Sequence, residues 1–189
     1  MASERLRALI RACFQALANM TEQDVAQLLA IPGKQVVLPF QWRAQEGAKG
    51  TPWVSFESVV MVGEQFADGL RFIAKFRASG VRVHGDASFP QQEKINVSLI
   101  ARGHRIAGID TFPGQRHANA AGSGHPYAGM TIQSTTHRHV WIGHDGYVEP
   151  VEPPLLDVIQ LIERFSHECN LVFKGAVPHP LQGTQGSLL

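Results

Sequence analysis

Histidine is the residue type from which the chemistry of this chain is best read. Six of the nine histidines, His104, His117, His125, His137, His139 and His144, fall between positions 104 and 144. Imidazole is the one side chain that in an ordinary setting changes charge near neutral pH. The most informative unit is His137-Arg138-His139. On a strand, residues i and i+2 project to one face, so the two imidazoles stand side by side with Arg138 opposite. That geometry serves two chemistries. Adjacent neutral imidazoles ligate Zn²⁺, Fe²⁺ or Mn²⁺, with a third His or a carboxylate completing the set. Without a metal, one imidazole takes a proton while its neighbour gives one. An isolated His-x-His is more often one exposed His beside one hydrogen-bonded in the sheet. Here, however, Asp110 closes an expected strand and His117-Ala118-Asn119 follows in a Gly-rich loop. Strand ends and the loops they launch are where site residues gather.

Arginines are interleaved with these histidines. Arg102, Arg105, Arg116 and Arg138 lie in the same stretch and Lys94 on the strand before it; the planar donor fork of Arg suits phosphate. The candidates for an RNA backbone are Arg116, Arg138 and Arg105, with Arg116 ahead of Arg138 because the latter projects from the opposite strand face. Scattered surface charge accounts for the same residues equally well. Trp42, Trp53 and Trp141 each sit in an apolar run and read as core before they read as base-stacking platforms. Other chemistries find no support. No GxxxxGK[ST] phosphate loop and no GxSxG elbow occurs, and Cys13 and Cys169 are too far apart for a CxxC pair and lie outside the His-rich segment.

The elements that must position these groups are legible from periodicity. A chain of 189 residues with 44% hydrophobic and 17% charged residues can bury a core and fits one domain. A net charge of +1 with His neutral gives no global field, so any nucleic-acid contact must come from a local patch. No run approaches the roughly 18–20 apolar residues of a membrane span, and a cytoplasmic setting without membrane contact is expected. Leu6, Leu9, Ile10, Cys13, Phe14 and Leu17 form the stripe of a first helix; the same Arg-bearing pattern occurs in transit peptides, but an ordinary helix explains it. Thr21 and Asp24 open a second helix that stops at Pro32-Gly33. Five period-two runs follow, VVLPFQW, WVSFESVVMV, LRFIAKFRA, INVSLIAR and HRIAGID, with a tight turn at Arg102-Gly103. Residues 111–136 form a long loop, THRHVWI a further strand, and 155–168 a helix with Asp157 near its positive end. Leu171-Val172-Phe173 is a last edge strand. The expectation is an α+β fold, a mostly antiparallel sheet with two N-terminal helices and one C-terminal helix covering it. A single domain spans 1–175, with a flexible tail over 176–189.

The series Ile109-Asp110, His117-Ala118-Asn119, Thr136-His137-Arg138-His139-Val140-Trp141, Gly146-Tyr147 and the closing Glu168-Cys169-Asn170-Leu171 resembles an uncharacterised family of bacterial and phage proteins, over about residues 21–173. More distantly, the order Asp, loop His, His-x-His, Pro, helix is similar to the TumE family of toxins from toxin–antitoxin modules, which act on messenger RNA. Where TumE-like proteins carry Arg-Tyr-Asp-Asn, this chain has Gly108-Ile109-Asp110-Thr111. What the resemblance transfers is therefore Asp110, His117, His137 and His139.

The leading expectation is a toxin-like, metal-independent ribonuclease of a toxin–antitoxin or defence system, with no cofactor. His137 or His139 deprotonates the ribose 2′-hydroxyl, the other or His117 protonates the leaving oxygen, Asp110 orients an imidazole, and Arg138 or Arg116 stabilises the phosphorane. RNA and a cognate antitoxin or other protein are the expected partners. Two alternatives stand beside it. One is a metal-dependent hydrolase built on His137, His139 and His117 with Asp110 as fourth ligand or base. The other is a non-enzymatic phage or defence protein for which the His loop is a contact surface.

Overall fold

The computed structural model describes residues 20–45 and 51–182. The stretch expected as a first helix, residues 3–17, lies outside them. Helix α1 (Glu22–Ala30) starts as its sequence requires, with a capping box in which the Thr21 hydroxyl accepts from Asp24 N–H and the Asp24 carboxylate accepts from Thr21 N–H. Val25 and Leu28 are its buried face. Beyond its end the fully buried Lys34 turns its ammonium back, donating to the carbonyls of Leu29 and Ile31 at 2.8 and 2.6 Å. These are carbonyls that a helix end leaves unpaired.

The body is one nine-stranded sheet. It contains β1 (Lys34–Val36), β2 (Arg43–Ala44), β3 (Trp53–Val62), β4 (Gln65–Arg77), β7 (Lys94–Ala101), β8 (His104–Thr111), β11 (Thr136–Val140), β12 (Tyr147–Pro150) and β13 (Leu171–Phe173). Their spatial order is β12-β11-β8-β7-β4-β3-β1-β13, with β2 on β3. Every pairing is antiparallel except β1 with the edge strand β13. Helix α2 (Val158–Glu168) is capped by Asp157, whose carboxylate accepts from Gln160 N–H. The fold is thus mixed α+β with a large, mostly antiparallel sheet, and two helices are present among the described residues.

One face of the sheet makes the core. Phe56, Phe72, Ala74, Phe76, Ile95, Val97, Leu99 and Ile109 are all buried and, by register, on one side, where they join Val158, Leu161, Ile162 and Phe165 of α2 in a single cluster. The alternation in these strands follows from that one-sided burial. Of the segment expected as a tail, residues 176–182 are described and lie against this side: the Pro178 carbonyl accepts from Trp42 Nε1 at 2.7 Å, and His179 meets Phe76 edge-on. A hairpin of β5 (Gly80–His84) and β6 (Ala87–Gln91), not expected from the sequence, extends from β4 and β7 with Val81, Val83 and Phe89 exposed.

The expected long loop is ordered around a second small ribbon, β9 (His117–Ala118) with β10 (Thr131–Ile132). Asn119 fastens it to the edge strand β12. Its amide donates to the Val148 carbonyl at 2.7 Å and the Tyr127 carbonyl at 3.1 Å, and its carbonyl accepts from Val148 N–H at 2.9 Å. The side chain acts as a one-residue strand partner for the edge. Gly122, at φ 93°, lies so close over Tyr147 that a Cβ would fall 2.6 Å from its ring. Replacing Asn119 by Ala would leave the buried Val148 N–H and C=O unpaired, and an unpaired buried group costs about 1–3 kcal/mol. We expect urea denaturation of Asn119→Ala to show a loss of about 3 kcal/mol, with faster hydrogen exchange at Val148. A variant within 0.5 kcal/mol of the parent would contradict the clamp.

Candidate functional site

The site lies on the sheet face opposite α2, near the β12 edge. Antiparallel register places His137 beside Asp110 and His139 beside Gly108, with Asn96 and Ser98 of β7 continuing the two rows. The alternation expected for His137-Arg138-His139 holds: both imidazoles face the site and Arg138 the helix side, where it donates to Glu168 at 2.9 and 2.5 Å. Arg164 completes that ion network at 2.5 Å. Arg138, expected as a nucleic-acid contact, is therefore occupied on the other side of the sheet.

Arg105 reaches the site through a break in register. Leu99 pairs with Ala107 but Ile100 with Arg105, so Ile106 is an extra residue in β8. Such a bulge reverses the parity of the residues before it, and Arg105 is turned onto the face of Asp110. Its guanidinium lies over Gly108, where any Cβ would collide with it. There it grips both carboxylate oxygens of Asp110, through Nη1 at 2.9 Å and through Nη2, while Nη2 also donates to the Val97 carbonyl at 3.2 Å. Arg105 thus positions Asp110, with both of its terminal nitrogens engaged at the carboxylate and one of them also at Val97.

Asp110 is 1% exposed. Burial alone would raise its pKa, yet hydrogen bonds from His139 and Arg105 and the Arg105 charge outweigh it and hold the carboxyl below the usual range. His139 Nε2 stands 3.0 Å from Asp110 Oδ2. An ionised carboxylate only accepts, so Nε2 carries the proton and Nδ1 keeps its lone pair. His117 is fixed likewise: Nε2 donates to the Gly146 carbonyl at 3.0 Å, again leaving Nδ1 free. Its ring centroid is 5.8 Å from that of His137 and 5.9 Å from that of His139, which are 5.1 Å from each other. His137 stacks on Phe112 with centroids 5.4 Å apart.

Burial pushes His137 down to about 4 against a partial opposing pull from Asp110, and burial also lowers His139 despite its hydrogen bond to Asp110. Both rings are neutral at neutral pH. His137 is therefore suited neither to donate a proton there nor to act as a strong base, whereas His139, held in one tautomer, is suited to accept one. The four groups bound a cleft of about 330 Å³ lined also by Asn96, Arg105, Phe112, Gln115, Arg116 and Ile132. Arg116 is exposed there. The same groups present a ligand set, since one atom each of Asp110, His137 and His139 lies within 4.8 Å of the others.

All four residues expected in the site, Asp110, His117, His137 and His139, converge. Three other histidines of the segment do not: His104 packs on Trp141, His125 lies 3.4 Å from Glu22, and His144 bonds the Asp145 carbonyl. Sequence reasoning missed Phe112 and the Gly146 carbonyl. Phe112 falls in the expected loop, and its position one residue past β8, beside the row of Asp110 and His137, is the available signal.

A native state that keeps His137 neutral binds fewer protons than the unfolded chain between pH 6.5 and about 4, so unfolding free energy should rise with pH across that window. The contribution is fully present above 6.5 and lost as pH falls toward 4; Asp110 adds a loss in the same direction below its ordinary value of 3.8. From His137 the total change across the window amounts to about 3 kcal/mol at most. Denaturant titrations at several pH values should show this rise for the parent and a flatter profile for His137→Asn; parallel profiles would contradict it.

No protein family, curated protein or solved structure matches this chain, so its chemistry has to be judged on the groups that meet in this cleft.

Proposed function

We propose that the protein is a metal-independent ribonuclease of the toxin-like kind, cleaving RNA by general acid and base catalysis. The observation that carries this reading is the Asp110–His139 hydrogen bond, which fixes His139 as a neutral base with Nδ1 free, beside His117 whose Nδ1 is also free. His139 Nδ1 takes the proton of a ribose 2′-hydroxyl. The 2′-oxygen attacks phosphorus, the bond from phosphorus to the 5′-oxygen breaks, and His117, protonated at Nδ1, gives that oxygen its proton. The products are a 2′,3′-cyclic phosphate and a 5′-hydroxyl. His137 remains neutral and packs the base side of the cleft against Phe112. Arg116 is the cation available for charge on the phosphorane, because Arg105 is committed to Asp110 and Arg138 to Glu168.

A second reading, a metal-dependent hydrolase, is favoured by the convergence of Asp110, His137 and His139 within 4.8 Å and by the neutrality of both imidazoles. Arg105 opposes it, since its charge already sits on the carboxylate that an ion would share. Bound metal would supply an activated water there.

Purified protein should cleave single-stranded RNA with a bell-shaped dependence of kcat/KM on pH, and chelator should leave the rate unchanged. His139→Ala and His117→Ala should each lower cleavage by about two to four orders of magnitude with the fold intact by circular dichroism. Loss of activity on chelation, restored by Zn²⁺ or Mn²⁺, would transfer the site to the hydrolase reading. Absence of any cleavage, or a His139→Ala variant as active as the parent, would sink the ribonuclease.

A further inference from the structure

The sheet face that bears the site also carries a row of aromatic and cationic side chains ending at the histidines. In register, Trp53 of β3 stands beside Arg77 of β4, and Arg77 beside Lys94 of β7. The Arg77 guanidinium lies 5.3 Å from the centroid of the Trp53 ring, and Lys94 Nζ lies 4.6 Å from that of Phe112. Phe112 stacks in turn on His137 with the planes 19° apart. Strands lie about 4.8 Å apart, so from β3 to β11 the row crosses on the order of 19 Å. Lys75 flanks it, in register with Asn96, which pairs with Asp110.

The charges on this face do not cancel. Between Trp53–Val59, Arg71–Arg77, β7, β8 and β11, the carboxylates on this side are Glu57, paired with Arg71 at 2.6 Å, and Asp110, held by Arg105. Lys75, Arg77 and Lys94 have no carboxylate partner among the described residues. Burial, and then the neighbouring Arg77 charge, hold the Lys94 ammonium below the usual lysine range, so an anion placed between the two would relieve both. Trp53 is half-buried and stands apart from the core cluster that takes up Trp42 and Trp141.

We propose that this row is a track for single-stranded RNA, leading the strand across β4 and β7 into the cleft. A base stacks on the Trp53–Arg77 pair, since indole and guanidinium both offer flat surfaces to a base, and the phosphates meet Arg77, Lys94 and Lys75. The row has rings at both ends, Trp53 at one and Phe112 with His137 at the other, and two adjacent cations between them, Arg77 and Lys94, so that bases can stack at its ends while phosphates meet its middle; an acidic peptide would use the cations and leave Trp53 without a counterpart. Paired bases hide the faces that stack, and a flat sheet cannot enter a groove, so the strand is unpaired. The inference rests on the ribonuclease reading for its direction, toward His139 and His117, and on the sheet face for its binding.

The test is fluorescence anisotropy of the full-length chain with a labelled, single-stranded 2′-O-methyl RNA oligonucleotide. This probe has the bases and phosphates of RNA and no 2′-hydroxyl to attack, so binding is read apart from cleavage. Trp53→Ala should weaken binding about tenfold or more. Lys94→Gln and Lys75→Gln should each make the slope of log affinity against log salt shallower by about 0.7; Lys75→Gln serves if the change at Trp53 or Lys94 unfolds the chain. A parent that binds with these losses but cleaves no RNA supports the track and removes the ribonuclease. A parent that cleaves, with affinity and salt slope untouched by all three changes, overturns the track and keeps the ribonuclease. No measurable binding by the parent, or equal affinity for the duplex of the same sequence, also overturns the track.

Discussion

The buried carboxylate of Asp110 is the group around which the site is built. A carboxylate at 1% exposure has lost its water, and an uncompensated charge there would cost several kcal/mol. Arg105 supplies the countercharge through both guanidinium donors, and His139 supplies a third hydrogen bond. Two backbone features make that pairing possible. The extra residue Ile106 turns Arg105 onto the correct face, and Gly108 leaves the space its guanidinium fills. Removing one partner of such a pair is more damaging than its net contribution suggests, because the other charge stays buried. The tautomer of His139 follows from the same carboxylate, so the electrostatics of the pair and the proton chemistry of the cleft are one arrangement.

The site joins a rigid half to a looped half. Asp110, His137 and His139 stand on β8 and β11, each paired on both sides, with Ile109 in the core cluster and Arg138 tied to Glu168 of α2 on the other face, which leaves their backbones little freedom. His117 comes from the long connection and depends on two attachments to the β12 region: its own bond to the Gly146 carbonyl and the Asn119 clamp on Val148 two residues later. The clamp protects an exposed sheet edge and places an imidazole with the same side chain–backbone pairing. His-x-Asn is thus one unit in which the first residue faces the cleft and the second carries the structure that holds it there.

Much of this was legible in the sequence, and what was not has a physical cause. Strand alternation is local, so β3, β7 and β8 fell where the apolar period put them, and the side-by-side placement of His137 and His139 with Arg138 opposite needed only the pleat. The Thr21–Asp24 box and the Arg102-Gly103 turn, with Arg102 at φ 51°, are also local chemistry. The role of Arg105 was not legible, because a bulge is a property of two strands in register and leaves no mark in one of them. Nor could Asn119 be told from any polar loop residue, since its partner Val148 lies 29 positions away. The β5–β6 hairpin escaped because Val81, Val83 and Phe89 are exposed, and apolar residues without burial carry a strand period that points to no core.

The two faces of the sheet divide the labour of the chain. The α2 side is apolar, and the one cation that the His-x-His alternation forces onto it, Arg138, is neutralised by Glu168 within a network that also holds Arg164. An antiparallel sheet can leave its second face wet, and here that face collects the histidines, the clamped Asp110 and the cations of β4 and β7. Changing Arg138 therefore disturbs the packing of α2, whereas changing His137 or His139, its immediate neighbours in sequence, disturbs the cleft. Adjacent residues of one strand belong to different parts of the molecule, because each side chain is assigned to a face before it is assigned to a function.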